Sequence, residues 1–467
     1  MSLRCAEADA SLVRAVLAGA HPSETVKENA ARIVRRIAAP GGALYLKIFR
    51  DRGPLAAVRR LIADRAAREF DALDRLRKAG IPVAEPVACG VHEGRSFVIT
   101  REVAGARILK DLAPSLSRPA RAAILRELGR LVRSVHEAGV RDDDLHLGNV
   151  LVTGTDEAPR LTLIDVHRAG FGIVERAERV QGLGFLLLAM RTLFSRADQR
   201  RFLRAYWGEE PARKLLLEIR SAFRSAFERH ATSRAARCLR NGREFEKRDG
   251  FRLRRPLTTV EARRLLDAPP IREIKKVGRR RLWLASADRF VREDPRAGRI
   301  WRNAHALAVR GVSTPRLWAW SGNRILGEWF PDAAPLNEHL AGRTWTPRER
   351  RNFREALAQF VRGMHRSGVH HGDLKANNIL VRGDSEFLVI DLDRAAFFEE
   401  VPLERRVSDL AQLNAALGAP VTVGDRLAFY RAYAGSDREW AVKWKERVRG
   451  IMEATRERRH RWPTGPA

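Results

Sequence analysis

Apolar positions in the first half of the chain fall into runs of two kinds. ALYLKIF at 43–49 is short and nearly continuous, which fits a buried strand better than a helix. From 55 to 80, LAAVRRLIADRAAREFDALDRLRKAG spaces its apolar residues three and four apart and stops at Gly80, the pattern of an amphipathic helix with a glycine end. SFVITREV at 96–103 reads as another strand. ARAAILRELGRLVRSVHEAG at 120–139 is helical again, and a loop leads from it to the strand LTLIDV at 161–166. Beyond that the chain returns to helices, one of which places Phe185, Leu186, Leu188 and Met190 in a core-facing stripe. The expected outcome is an α+β unit, with a small strand-rich part followed by a larger helical part.

The pattern then repeats. HEAGVRDDDLHLGNVLV, from 136, is answered by HRSGVHHGDLKANNILV, from 365. His136, Gly139, Val140, Asp144, Leu145, Asn149 and Leu151 recur as His365, Gly368, Val369, Asp373, Leu374, Asn378 and Leu380, all at one offset. LTLIDVHRA (161–169) matches FLVIDLDRA (387–395), DQRRFLRAYWG (198–208) matches DRLAFYRAYAG (425–435), and RLRKAGIPVAEP (75–86) matches ALAVRGVSTPRL (306–317). A repeat on this scale predicts two domains of one architecture, 1–250 and 251–467. The boundary is expected between about 240 and 275, where NGREFEKRDGFRLRRPL is charged and unpatterned before the helix-like TTVEARRLLDA.

Composition changes this picture in one respect. Apolar residues make up 45% of the 467 and charged residues 31%, ordinary values for a globular chain with a sizeable core. The balance of 88 Lys plus Arg against 57 Asp plus Glu, a formal +31, is not ordinary. It makes an anionic membrane face, phosphorylated substrates and nucleic acid candidate partners. Cys5, Cys89 and Cys238 lie far apart with no metal-ligand or disulfide spacing, which fits a reducing cytoplasm. The most apolar run, 182–190, is far below the roughly 20 residues of a membrane span, so the protein is expected to be soluble, or at most peripheral.

The candidate chemistry lies in the repeated loop. Phosphoryl transfer asks a protein for a carboxylate that orients the attacking hydroxyl and for oxygen ligands that hold Mg²⁺ against the phosphates. Asp144 supplies the first, and Asn149 with Asp165 at the end of LTLIDV supplies the second. The second half repeats the set as Asp373, Asn378 and Asp391. Any one of these alone is a common turn or cap residue; the ordered set, twice in one chain, is not.

The D-L-H-x-x-N loop, I-D-x-x-R in place of D-F-G, a Tyr-x-Lys strand and a downstream F-L-x-x-Y together resemble the protein-kinase superfamily. Within it they resemble the lipopolysaccharide kinase (Kdo/WaaP) family. SRAARCLRNGREF (233–245) is similar to the C-terminal part of single-domain members. The resemblance implies tandem bilobal kinase-like domains, ATP and Mg²⁺ as cofactors, and a sugar hydroxyl of lipopolysaccharide core or a related envelope glycan as acceptor, which makes the substrate anionic and lipid-linked. It also implies that Lys47 contacts the α/β-phosphates, that Glu69 pairs with Lys47, and that Glu102 lies at the hinge where backbone groups hold adenine. Two departures stand out in the first copy: only Pro40-Gly41-Gly42 occupies the place of a glycine-rich loop, and Asp142 replaces the histidine that the second copy keeps as His371.

In the second copy Arg292 stands where Lys47 does and Ile300 where Glu69 does, which predicts a lost ion pair, an impaired nucleotide site, and Lys275 or Lys276 as the substitute cation. The first copy is therefore expected to be the better nucleotide site. His136 and His365 are expected to pack behind the loop, and His146 to be a loop support or a substrate contact. Rival readings are a protein kinase or an aminoglycoside- or choline-type kinase, and a non-catalytic nucleotide-binding scaffold. Nucleic-acid binding rests on charge alone and ranks last.

Overall fold

The computed structural model describes residues 3–29, 31–50, 65–142, 145–418, 421–435, 440 and 442–458. The chain divides into two compact units, Met1–Ala226 and Phe227–Ala467. The division thus precedes the 240–275 stretch where it was expected. The reason lies in that stretch, which is not unpatterned: Phe245–Arg248 and Phe251–Arg254 form an antiparallel hairpin, and Leu253 pairs with Ala319 in the second unit's sheet. Phe251 and Leu253 are buried while the charged residues between them are partly exposed, an alternation that the density of arginine conceals in the sequence.

The first unit begins with a six-stranded antiparallel sheet in the order Leu3–Cys5, Pro86–His92, Arg95–Arg101, Leu44–Phe49, Arg32–Ile37, Ser23–Glu28. The period of two decides which face each residue takes. Leu44 and Leu46 join Ile37, Phe97 and Ile99 in a core that the helix Ala10–Leu17 closes with Val13 and Val16. Lys47 therefore emerges on the opposite face, beside its register partner Val98. That face is covered by the helix Arg65–Lys78, whose Ala66 packs on Val98. Residues 51–64, which include the first ten residues of the predicted helix 55–80, lie outside the described residues. Pro40-Gly41-Gly42 forms a tight turn between two sheet strands, with both glycines at positive φ.

The helical part packs Arg118–Glu137, Arg176–Met190 and Arg196–Trp207 around Leu125, Leu128, Leu183, Phe202 and Tyr206. Arg118–Glu137 starts at Ser117, which accepts from the Ala120 N–H, with Pro119 in the first turn. It stops at Gly139, where φ is +72° and a Cβ would sit 2.6 Å from the Gly172 carbonyl oxygen. Gly368 repeats both conditions, at φ +79° and 1.9 Å from the Phe398 oxygen, so no other residue fits either position without moving the backbone.

The second unit has a seven-stranded sheet in the order Phe245–Arg248, Phe251–Arg254, Leu317–Ser321, Arg324–Glu328, Arg289–Glu293, Arg280–Ser286, Arg272–Val277. Helix Ala297–Val309, between the strands Arg289–Glu293 and Leu317–Ser321, and the later helices Pro347–Arg366, Leu403–Ala416 and Val423–Ala434 pack around Trp301, Leu307, Val361 and Leu410. Both units are mixed sheet-then-helix, as expected.

Candidate active site

In the first unit three expected residues meet. Lys47 Nζ lies 2.6 Å from Glu69 Oε1 and 2.9 Å from Asp165 Oδ1. Asp165 also receives Arg32 at 2.7 Å on Oδ2 and His167 Nδ1 at 2.7 Å on Oδ1. The acidic side chains are 3% and 12% exposed. Burying an unpaired charge costs several kcal/mol, so a cluster this dry persists only because cations face both carboxylates. Burial pushes the Glu69 carboxyl up despite the attraction of Lys47, and leaves Glu69 Oε2 without a partner. Burial acts on Asp165 in the same direction, but the bonds from His167 and Lys47 and the charge of Arg32 outweigh it and hold Asp165 well below the usual carboxylate range.

The hairpin Val150–Gly154/Pro159–Leu163 explains how Asn149 reaches this cluster. Its register sets Leu163 against Val150, and the Ile164 N–H donates to the Asn149 carbonyl at 2.9 Å. Asn149 and Asp165 therefore stand at one end of the hairpin, where Asp165 takes the left-handed conformation at φ +61°. Asp144 lies outside the described residues. His146 accepts the Gly148 N–H through Nδ1 at 3.0 Å, which makes it a support of the turn that holds Asn149. His136 is buried with Nδ1 2.6 Å from the Tyr206 hydroxyl, and Tyr206 is the tyrosine of F-L-x-x-Y. At Glu102 the N–H donates to the Ala43 carbonyl at 2.9 Å, and the carboxylate is gripped by Arg36 at 2.7 Å through two nitrogens. That amide is thus committed to the sheet.

The second unit corrects an expectation. Arg292 does not lack an anchor: its NH2 lies 2.7 Å from Asp294 Oδ2 and 2.9 Å from Asp391 Oδ1, and its Nε is 3.1 Å from the same Asp294 oxygen. Asp294 is fully buried two residues along the chain, so it replaces the helix glutamate from a different element, while Ile300 packs into the core. Lys275 and Lys276 lie exposed on the edge strand Arg272–Val277. Burial weakens the Arg292 cation, but Asp391 and Asp294 outweigh it and raise the guanidinium's pKa. Asp391 has φ +61°, as Asp165 does, and the Ile390 N–H donates to the Asn378 carbonyl at 3.0 Å. The Asn378 amide donates to the Asp373 carbonyl at 2.8 Å, and Lys375 Nζ lies 3.0 Å from Asp373 Oδ1. In each unit an amide oxygen and a carboxylate end adjacent strands, hard donors of the kind Mg²⁺ takes.

Sequence reasoning missed Arg32, His167, Asp294, Asp409 and Gln412. Asp409 is buried on the helix Leu403–Ala416 and accepts the His371 and Gly372 N–H groups at 2.9 and 3.0 Å. Comparing V-S-D-L-A-Q-L (407–413) with V-Q-G-L-G-F-L (180–186) brings out Asp409 and Gln412. Asp294 has no such signal, since its role depends on how the chain leaves the strand.

The lipopolysaccharide kinase (Kdo/WaaP) family model matches residues 42–206 and again 285–433, more than half of the chain. The chain belongs to that family. It is similar to the 3-deoxy-D-manno-octulosonic acid kinase of Haemophilus influenzae, 28% identical over 135 residues that cover 28% of this chain and 54% of the relative. The chain thus spans about half the length of these Haemophilus relatives. The Actinobacillus succinogenes protein of the same name is 30% identical over 35% of this chain and 71% of its own. The lipopolysaccharide core heptose(I) kinase WaaP of Pseudomonas aeruginosa is 31% identical over 34% and 59%. Among solved structures, an aminoglycoside-3'-phosphotransferase of type VIII matches at 20% identity and TM-score 0.34, over 45% of this chain and 96% of that one.

Proposed function

We propose that this family member transfers the γ-phosphoryl group of ATP to a sugar hydroxyl of lipopolysaccharide core or a related envelope glycan. The observation that carries this reading is the buried chain of cation, anchoring acid and strand-end aspartate, Lys47–Glu69–Asp165, and its counterpart Arg292–Asp294–Asp391 beside Asp373 and Asn378. In each, the cation is held rigid by the acid and is available to the ATP phosphates; Asp373, or Asp144 by its place in the repeated sequence, would be the carboxylate that orients the acceptor hydroxyl. Asn149 with Asp165, and Asn378 with Asp391, would hold Mg²⁺, which when bound offsets phosphate charge. The family's named members support a sugar acceptor.

The +31 charge supports an anionic, lipid-linked acceptor met at the inner membrane face, and no helix among the described residues is long and apolar enough to cross a membrane. Label from γ-³²P-ATP should enter Kdo-containing lipid A in the presence of Mg²⁺ and should not enter casein or kanamycin. Labelling of either of those instead would refute the sugar-core acceptor.

A further inference from the structure

The helix that follows the strand-end aspartate differs between the two units. In the second unit the backbone on both sides of Asp373 is fastened to one helix, Leu403–Ala416. Asp409, fully buried, accepts from the His371 and Gly372 amides at 2.9 and 3.0 Å, and His365 Nε2 is 3.2 Å from its Oδ2. Gln412 accepts the Leu374 N–H at 2.5 Å and donates to the Gly372 carbonyl at 3.1 Å. Four consecutive peptide units, from the one joining His370 to His371 to the one joining Asp373 to Leu374, are thereby held by side chains that sit in a packed core. The His371 ring adds a bond from Nε2 to the Ile390 carbonyl at 2.9 Å, tying the loop to the residue before Asp391.

The helix in the same place of the first unit, Arg176–Met190, carries Gly182 and Phe185 at the corresponding positions. The register is fixed by the histidines as well as by the sequence. A Cβ at Gly182 would lie 3.5 Å from His136 Nε2, so position 182 faces His136 as Asp409 faces His365. Glycine has no oxygen to offer a peptide N–H, and phenylalanine has neither acceptor nor donor. The remaining requirement, a fixed cation beside the strand-end aspartate, is met in the second unit by Arg292 on Asp294. In the first unit both oxygens of the corresponding Asp165 are engaged by Lys47, Arg32 and His167.

We infer that the second unit carries the phosphoryl transfer and that Asp409 and Gln412 are the residues that position its catalytic carboxylate, whereas the first unit keeps its nucleotide-side ion pairs but has Gly182 and Phe185 in place of those two side chains. This rests on the kinase reading above. In the step assigned to the second unit, the acceptor hydroxyl oxygen bonds to the γ-phosphorus of ATP. The bond from that phosphorus to the β–γ bridging oxygen breaks with its electron pair to release ADP, and the hydroxyl proton passes to Asp373. An orienting carboxylate contributes mainly to the transition state, so loss of its support should appear in kcat and not in ATP binding.

The test uses the full chain and γ-³²P-ATP with Mg²⁺, once with Kdo-containing lipid A as acceptor and once with water alone, read as ADP release. Asp373→Asn is expected to slow turnover by at least about 100-fold, and at least about tenfold more than Asp144→Asn does. Gln412→Met should lower kcat about tenfold at an unchanged KM for ATP, and Gln412→Glu, which keeps an oxygen facing the Leu374 N–H but loses the donor to the Gly372 carbonyl, should recover part of that loss. A loss from Asp144→Asn equal to or larger than that from Asp373→Asn overturns the inference. So does a Gln412→Met effect confined to KM, or no recovery with Gln412→Glu. ADP release in water without labelled lipid removes the sugar acceptor but leaves the order of the two aspartate variants to decide between the units. No ADP release under either condition removes both proposals.

Discussion

Replacing Asp409 with asparagine is the sharpest perturbation of the loop support. The carboxylate presents one oxygen to the His371 N–H and the other to the Gly372 N–H, with His365 Nε2 also at 3.2 Å. An asparagine keeps one acceptor and turns an NH₂ group toward the other amide. One buried N–H is then orphaned, at about 1–3 kcal/mol, and the loss of charge assistance on the remaining bond adds roughly another 1 kcal/mol. A local cost of about 2–4 kcal/mol corresponds to a rise in loop opening of roughly 30- to 700-fold. Hydrogen exchange of the peptide spanning 369–378, followed by mass spectrometry, measures that opening directly, because exchange of protected amides reports local free energy. Helix amides in 347–366 provide an internal reference. If the loop amides exchanged within about threefold of the wild-type rate while the protein stayed folded, the idea that Asp409 holds the loop would be wrong. The pH dependence has a definite sign. Burial pushes the Asp409 carboxyl up, but the bonds from His365 and His370 hold it well below the ordinary aspartate value. Its contribution is therefore present above about pH 4, where an unfolded aspartate is ionised, and is lost only as pH falls toward the folded value.

Lys47→Met should destabilise the first unit by about 3 kcal/mol, since it strands the buried Glu69 while Asp165 keeps Arg32 and His167, and adding Glu69→Gln should return part of that; equal denaturant midpoints for the single and double variants would refute the buried pair. His136 is neutral in the fold, its pKa pushed down to about 4 by burial and then by Arg179, so stability should fall by up to about 3 kcal/mol as pH drops from 6.5 to about 4; urea titrations in which His136→Phe shows the same slope would contradict this. Arg292→Lys keeps the charge but loses the two-nitrogen grip on Asp294, so calorimetry should show ATP affinity of the full chain reduced several-fold, and less than by Arg292→Ala. Vesicles containing anionic lipid should retain the protein at low salt and release it near 1 M, where the Debye length is about 3 Å; retention at high salt would demand an inserted apolar segment.

The sequence by itself determined the element types, the repeat and the identity of the loop. Asp144, Asn149 and Asp165 recur in order as Asp373, Asn378 and Asp391, and so short a spacing survives as a readable pattern. Lys47 and Glu69 were legible through strand periodicity and the family resemblance, and the structure brings them to 2.6 Å. The tertiary structure alone decided what long-range packing controls. Asp294 substitutes for a helix glutamate because the chain turns back toward Arg292 as it leaves the strand, and no local pattern encodes that turn. The hairpin at 245–254 joins the second sheet through pairing with Leu317–Ser321, a partner more than sixty residues away, while its own sequence displays mainly charge. Asp409 and Gln412 acquire meaning only from the three peptide N–H groups they face, since a helix residue in isolation says nothing about which loop's hydrogen bonds it completes.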